Sequence, residues 1–270
     1  MSETASTVQA PSDTPGNGPA VLPVTTSDIL EILAAGLRDF RAALFYDLCV
    51  AGIYTVGGWI LILLLVQFDM PFLVYPLAAG FALIAPFIAA AFYAISRSLE
   101  RNEPPSWGVI VASIRGATRS DLGWMALVTG FSLFIWMDIA ALLFFFFLGL
   151  TSLSAQELLR EIFTTPTGLL FLVIGNGVGA IIALAVFSFS VTSFPMLFDR
   201  DVDFVTAMIT SVKVVLANRV AMIVWCATIA VLIGISLLSG LIGLLVILPI
   251  LGHASWHLYR RAISAAPDNG

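Results

Sequence analysis

Asp138 stands alone among Ile, Leu and Phe, and no other acidic or basic residue occurs between Asp121 and Glu157. In hydrocarbon, an ionisable side chain must face a cavity, a partner or another polar group, which makes it a functional candidate by default. Asn176 occupies the next apolar run, and at 1.5 Å of helix rise per residue the two reach the same depth from the outer ends of their segments. Such a pair can relay a proton or cation. It can equally be an Asp–Asn hydrogen bond that joins two helices, and relays usually show more than one intramembrane carboxylate.

His253 and His257 are four residues apart and share one helical face. Asp47 and His257 each lie three residues inside the ends of their segments, so a carboxylate–imidazole pair titrating near neutral pH is expected at that level. A metal site would need a third or fourth ligand. Interfacial packing, with Trp256 and Tyr259 as belt aromatics, is the plainer reading, and neither metal nor cofactor is expected. Asp199, Asp201 and Asp203 alternate like the start of a calcium loop, but Phe204 and Thr210 stand where such a loop needs Gly and Glu. Helix capping and pairing with Arg200 are expected instead. Gly175 and Gly179 form a GxxxG around Asn176, a face that lets another backbone come close. Phe144 to Phe147 would meet lipid or a second subunit. The chain has no GxSxG, HExxH or paired carboxylate site, so an enzyme is not expected.

These residues sit in a chain of 270 residues of which 60% are apolar and 11% charged, against roughly 45–50% and 25% in a soluble domain. Mean hydropathy is +1.03. The protein reads as membrane-embedded. A net charge of -5 with no clustered basic face argues against a nucleic-acid partner. Cys49 and Cys226 lie in apolar runs and form no CxxC or disulfide framework. Residues 1–25 carry Pro11, Pro15, Pro19 and Pro23 among Ser, Thr and Gly, and read as a disordered tail with no cleaved signal, as do 264–270 at the other end.

A helix crossing the hydrocarbon needs about 20 apolar residues. Charge-free runs at 48–68, 70–96, 162–198 and 220–259 satisfy this, and Asp138 alone interrupts 122–156. The 40-residue last run is long enough for two spans and breaks at Ser239-Gly240. The expected architecture is therefore all-α with six spans, near 44–67, 72–96, 122–148, 168–194, 220–238 and 241–260, within a domain at 26–263. Arg38, Arg41, Arg97, Arg101, Arg115, Arg119, Arg200, Lys213, Arg219, Arg260 and Arg261 then share one side and only Arg160 lies opposite, which puts both termini in the cytoplasm.

Three segments on that side, 28–40, 106–115 and 204–216, show helical amphipathic spacing just before a pair of spans. In the third, Phe204, Met208, Ile209, Val212 and Leu216 form the apolar stripe opposite Thr206, Thr210 and Lys213. Leu37-Arg38, Ile114-Arg115 and Val212-Lys213 correspond, which suggests three like-oriented units, each an interfacial helix followed by an out-and-back hairpin. This is not the inverted repeat of many secondary transporters.

The stretches GWMALV (123–128), IWMDIAALLF (135–144), FPMLFDRDVDFVTAMITSV (194–212) and LPILGHASWHLYRR (248–261) resemble the bacterial integral-membrane family catalogued as domain of unknown function 2189. The resemblance spans about residues 25–263 and implies a six-helix protein of the bacterial inner membrane, with no activity attached. Two readings follow from the residues. One is a non-enzymatic accessory or scaffold protein that associates with itself or another membrane complex. The other is a small transporter or channel with a polar pathway through Asp138 and Asn176, although the second and fifth spans supply no charge to such a route.

Overall fold

The computed structural model describes residues 20–67, 74–117, 121–149 and 155–264. Its regular elements are helices: α1 (Thr26–Ala42), α2 (Leu44–Gln67), α3 (Val74–Glu100), α4 (Trp107–Ala117), α5 (Asp121–Leu148), α6 (Ala155–Thr164), α7 (Pro166–Ser190), α8 (Ser193–Asp199), α9 (Phe204–Ala217), α10 (Arg219–Leu238) and α11 (Leu244–Ala262). Four stretches are long and apolar enough to cross a membrane: Leu44–Leu64, Asp121–Leu148, Pro166–Asp199 and Arg219–Leu238. These correspond to four of the six expected spans. The expected sixth span, α11, falls short on composition because it carries His253, His257, Arg260 and Arg261. Its neighbours explain how it tolerates them: α1, α2, α3, α8 and α10 all pack against it, so little of it faces outward.

The core lies at one end. Trp225, Trp256, Tyr259, Met125, Met196 and Leu122 are fully buried there. The start of α2 and the end of α3 meet at this end, as do the start of α10 and the end of α11. Toward the far end apolar side chains face outward, with Phe146 80% and Leu238 90% exposed. Trp59 ties that end of α2 to the α10–α11 turn by donating Nε1–H to the Gly240 carbonyl. The turn falls at the expected Ser239-Gly240 break, with Gly240 and Leu241 both in the left-handed region (φ +65° and +69°).

Thr25 caps α1 through a reciprocal capping box with Asp28. Helix α1 runs antiparallel to α11, with Asp28 against Arg261 and Gly36 against Ile250 and Ala254. The segment before it is held as well. Residues 1–19 of the expected tail lie outside the described residues, as do 265–270, but Val21 bridges Ile263 and Leu22 N–H donates to the Ala262 carbonyl. Asn218, between α9 and α10, accepts from Val24 N–H at 2.7 Å and donates to the carbonyls of Leu22 and Val214. Replacing it by Leu leaves buried backbone groups unpaired, and a loss of about 1–3 kcal/mol is expected. Amide exchange should then accelerate at Leu22 and Val24 while α5 and α7 keep their protection.

Three expectations change. The span expected at 168–194 lies within the apolar stretch Pro166–Asp199, but its helix is interrupted after Ser190 and a new one starts at Ser193. Pro195 has no N–H to continue the longer helix, but in the first turn of α8 that N–H has no intrahelical partner to lose. Helix α6 occupies part of a segment expected as a connection; Gly168 lets α7 pass close, since a Cβ there would collide with the backbone of Glu161 and Ile162. In α9 the buried side is Ala207, Thr210, Ser211 and Val214, while Ile209 and Leu216 of the expected stripe are exposed. Small residues allow the close contact there, and Ser211 Oγ accepts from Thr192 N–H.

Candidate functional site

The crowded end holds a chain of polar side chains drawn from four helices. Asp47, in the first turn of α2, meets His253 of α11, with Oδ2 3.0 Å from Nε2 and both side chains fully buried. The other imidazole nitrogen, Nδ1, lies 2.8 Å from Ser96 Oγ on α3. Ser96 donates its hydroxyl proton to Asp39 Oδ2 at 2.7 Å, and His257 Nε2 approaches the same oxygen at 2.8 Å. The chain thus runs Asp47, His253, Ser96, Asp39, His257. Phe92 packs edge-on against the His253 ring, and Gly252 makes room for it.

The chain reaches the surface at its Asp39–His257 end: the Asp39 side chain is 15% exposed and that of His257 22%, and His257 lines a groove of about 210 Å³ with Asp28, Glu31, Arg38 and Arg261. Burial alone would raise the Asp39 carboxyl; the hydrogen bonds from His257 and Ser96 outweigh it and hold the group below the usual carboxylate range. Depth counting from the sequence paired Asp47 with His257. The structure pairs it with His253, one turn deeper on α11, and gives His257 to Asp39. The sequence singled out neither Asp39 nor Ser96.

The aspartates around Arg200 divide their roles. Asp203 caps α9, accepting from Thr206 N–H at 2.9 Å and from its hydroxyl. Asp199 accepts from the Tyr259 hydroxyl at 2.7 Å and lies 3.7 Å from Arg260. Arg200 turns to the Tyr259 hydroxyl and the Ser264 carbonyl instead of an aspartate. Asp201 is exposed. Among the described residues, no group of three His, Cys, Asp or Glu side chains is placed to hold a metal ion.

Asp138 and Asn176 are placed apart in role. Asn176 donates its side-chain amide to the Leu172 carbonyl one turn back in α7 and lines a crevice of about 900 Å³ between α5, α7 and α10. Gly179 receives the Trp136 ring of α5, 2.9 Å from where a Cβ would stand, whereas Gly175 opens onto the crevice. Helix α5 contributes Thr129, Ser132, Leu133, Trp136 and Ala140 to this crevice. At 100° per residue, Asp138 lies on the opposite face. It is exposed there in a stripe with Phe131, Phe134, Ile135, Leu142 and Phe145.

Long apolar helices carrying few charges define an integral membrane protein. Residues 74–199 match the family model described as "Predicted integral membrane protein (DUF2189)", so the resemblance drawn from the sequence holds from α3 through α8. No curated protein and no solved structure matches the chain. The match includes Ser96 and Asp138, while Asp39, Asp47, His253 and His257 lie beyond it.

Proposed function

We propose that this is a non-enzymatic accessory protein of the bacterial inner membrane, crossing it six times as three hairpins with both termini cytoplasmic, and that it docks another membrane-spanning helix on the outward face of α5. The observation that carries the reading is the Asp138 stripe. A carboxylate in the middle of a span costs roughly 2.5–3.5 kcal/mol against lipid on insertion scales. Here it is exposed between Phe134 and Leu142, on a face that no helix of the chain covers among the described residues. A partner helix carrying a cation or hydrogen-bond donor at that depth removes the cost, and the flanking Phe and Leu side chains supply apolar contact.

The six-span arrangement is supported by the ends that meet: α2 begins where α3 finishes, and α10 begins beside the end of α11. The grouping of basic residues at that end supports a cytoplasmic orientation. A hydrolase reading of Asp47, His253 and Ser96 is disfavoured because Ser96 is fully buried and its hydroxyl is committed to Asp39. A pathway through Asp138 and Asn176 lacks a link, since Asn176 of α7 lines the crevice while Asp138 lies on the face of α5 turned away from it.

Purification in mild detergent should return a stoichiometric membrane partner. Asp138→Leu should reduce its retention at least about tenfold, the equivalent of one buried polar contact of ~1.4 kcal/mol, without lowering the yield of folded protein. Solute or ion flux into vesicles holding the purified chain alone, abolished by Asp138→Asn, would overturn the proposal in favour of transport.

A further inference from the structure

Proton positions in the buried chain follow from its geometry. The Ser96 hydroxyl has one hydrogen and directs it to Asp39 at 2.7 Å, so the 2.8 Å contact with His253 is made by the imidazole Nδ1–H. The 3.0 Å contact between His253 Nε2 and Asp47 Oδ2 needs a further proton, because otherwise two lone pairs face each other. Three links in series therefore hold three protons. Removing one leaves one link open.

Which link opens is decided by solvation. Asp47 Oδ1 is buried without a hydrogen-bond partner, so Asp47 has no donor to replace His253. Asp39 keeps His257, which lines the groove at the α1–α11 surface. The cheaper break is between Ser96 and Asp39. His253 Nδ1 then gives up its proton and accepts from the Ser96 hydroxyl, which turns away from Asp39, while Nε2–H continues to donate to Asp47. One proton leaves to water at the Asp39–His257 end, and the atoms balance.

On α11 the path is flanked by Arg260 and by Arg261, which pairs with Asp28 of α1, while Arg41 of α1 is exposed. Helix α1 presents Asp39, with Asp28, Glu31 and Arg38 at the groove; α2 presents Asp47. Helix α3 presents Ser96, while its Glu100 meets Arg260 and its Arg97 lies over Phe198. Asp199 of α8 is engaged by Tyr259 and Arg260, and α10 carries no charged residue beyond Arg219, which is exposed.

We propose that Asp47, His253, Ser96 and Asp39 form a proton-binding site that exchanges one proton with the aqueous phase at His257, and that release of this proton opens the Ser96–Asp39 hydrogen bond between α3 and α1. The full chain has two histidines, so its ¹⁵N-imidazole spectrum is readable directly, with His257→Gln giving the assignment. As pH is raised from about 5 to about 9, His253 Nδ1 should lose its proton while Nε2 retains one. In Asp47→Asn, the side-chain amide donates to Nε2 without an extra proton, so Nδ1 should stay protonated throughout. A wild-type Nδ1 that keeps its proton over the range, or an Asp47→Asn protein that titrates as wild type, overturns the proposal. Should that variant fail to fold, Ser96→Ala interrupts the path instead. Exchange of the His253 ring proton with water should then slow about tenfold, the factor given by one lost hydrogen bond of ~1.4 kcal/mol; an unchanged rate overturns it.

Discussion

His253→Leu should cost about 3–5 kcal/mol of stability, the range seen when one partner is removed from a buried ionisable pair. Both side chains are fully enclosed, and Asp47 already has one oxygen unpartnered, so losing the imidazole leaves the whole carboxyl without a donor. The expected readout is a large drop in the thermal midpoint in detergent. The interaction is separated from the loss of packing by a double-mutant cycle. Asp47→Ala in the His253→Leu background removes the stranded carboxyl, so the double variant should recover about half of the loss, because neighbouring groups in one network do not add. Strictly additive losses would mean that His253 serves as packing against Phe92 and that Asp47 contributes nothing through it.

The parts of this arrangement that the sequence disclosed are those set by a one-dimensional count. Charge-free length located α2, α5, α7 and α10, and the Ser239-Gly240 break located the α10–α11 turn, where two consecutive left-handed residues follow Ser239. The same count placed Asp47, His253 and His257 near one level. It could not choose the right histidine, because equal distance from a helix end means equal depth only if the helices run parallel. One turn of α11 separates the two choices. Asp39 was hidden for a related reason: on an amphipathic helix lying on a surface, it belongs to the wetted side, whereas α1 packs along α11. Ser96 resembles the helical serines that bond back to their own backbone, as Ser188 and Ser255 do here.

Amphipathicity misled most in α9. In water, the apolar stripe of such a helix faces the core. Beside a membrane both sides of the helix meet apolar surroundings, and residue size decides the inner face. Ala207, Thr210 and Ser211 are small enough for α7 and α9 to come together, and the hydroxyls find backbone partners at Thr206 and Thr192. Helix α6 does not stand out in the sequence because AQELLREIFT is ten residues with Leu158, Leu159, Ile162 and Phe163 spread over barely two turns, too short for its periodicity to differ from that of a connection.

Gly36→Val should detach α1 from α11. A Cβ at residue 36 would stand 2.6 Å from the Ile250 carbonyl oxygen and 2.9 Å from the Ala254 nitrogen. Both are backbone atoms of a helix packed on other sides, so neither can swing away as a side-chain tip would. Gly36→Ala carries an overpacking cost of about 1–3 kcal/mol, offset by up to ~1 kcal/mol of helix propensity. Two further methyl groups in Gly36→Val remove the possibility of a small adjustment, and a loss of about 3 kcal/mol or more is expected. Gly57, in α2, has nothing within 4 Å of its Cβ position, and Gly57→Ala should be neutral or stabilising by up to ~1 kcal/mol. The effect of Gly36→Val should be local in a telling way. Moving α1 withdraws Asp39 from Ser96 and His257, so amide exchange in α1 should rise together with a change in the His257 imidazole signal, while the α5–α7 contact at Gly179 and Trp136 remains protected. If α5 and α7 loosened equally, α1 would be part of a single cooperative core and not a separately releasable helix.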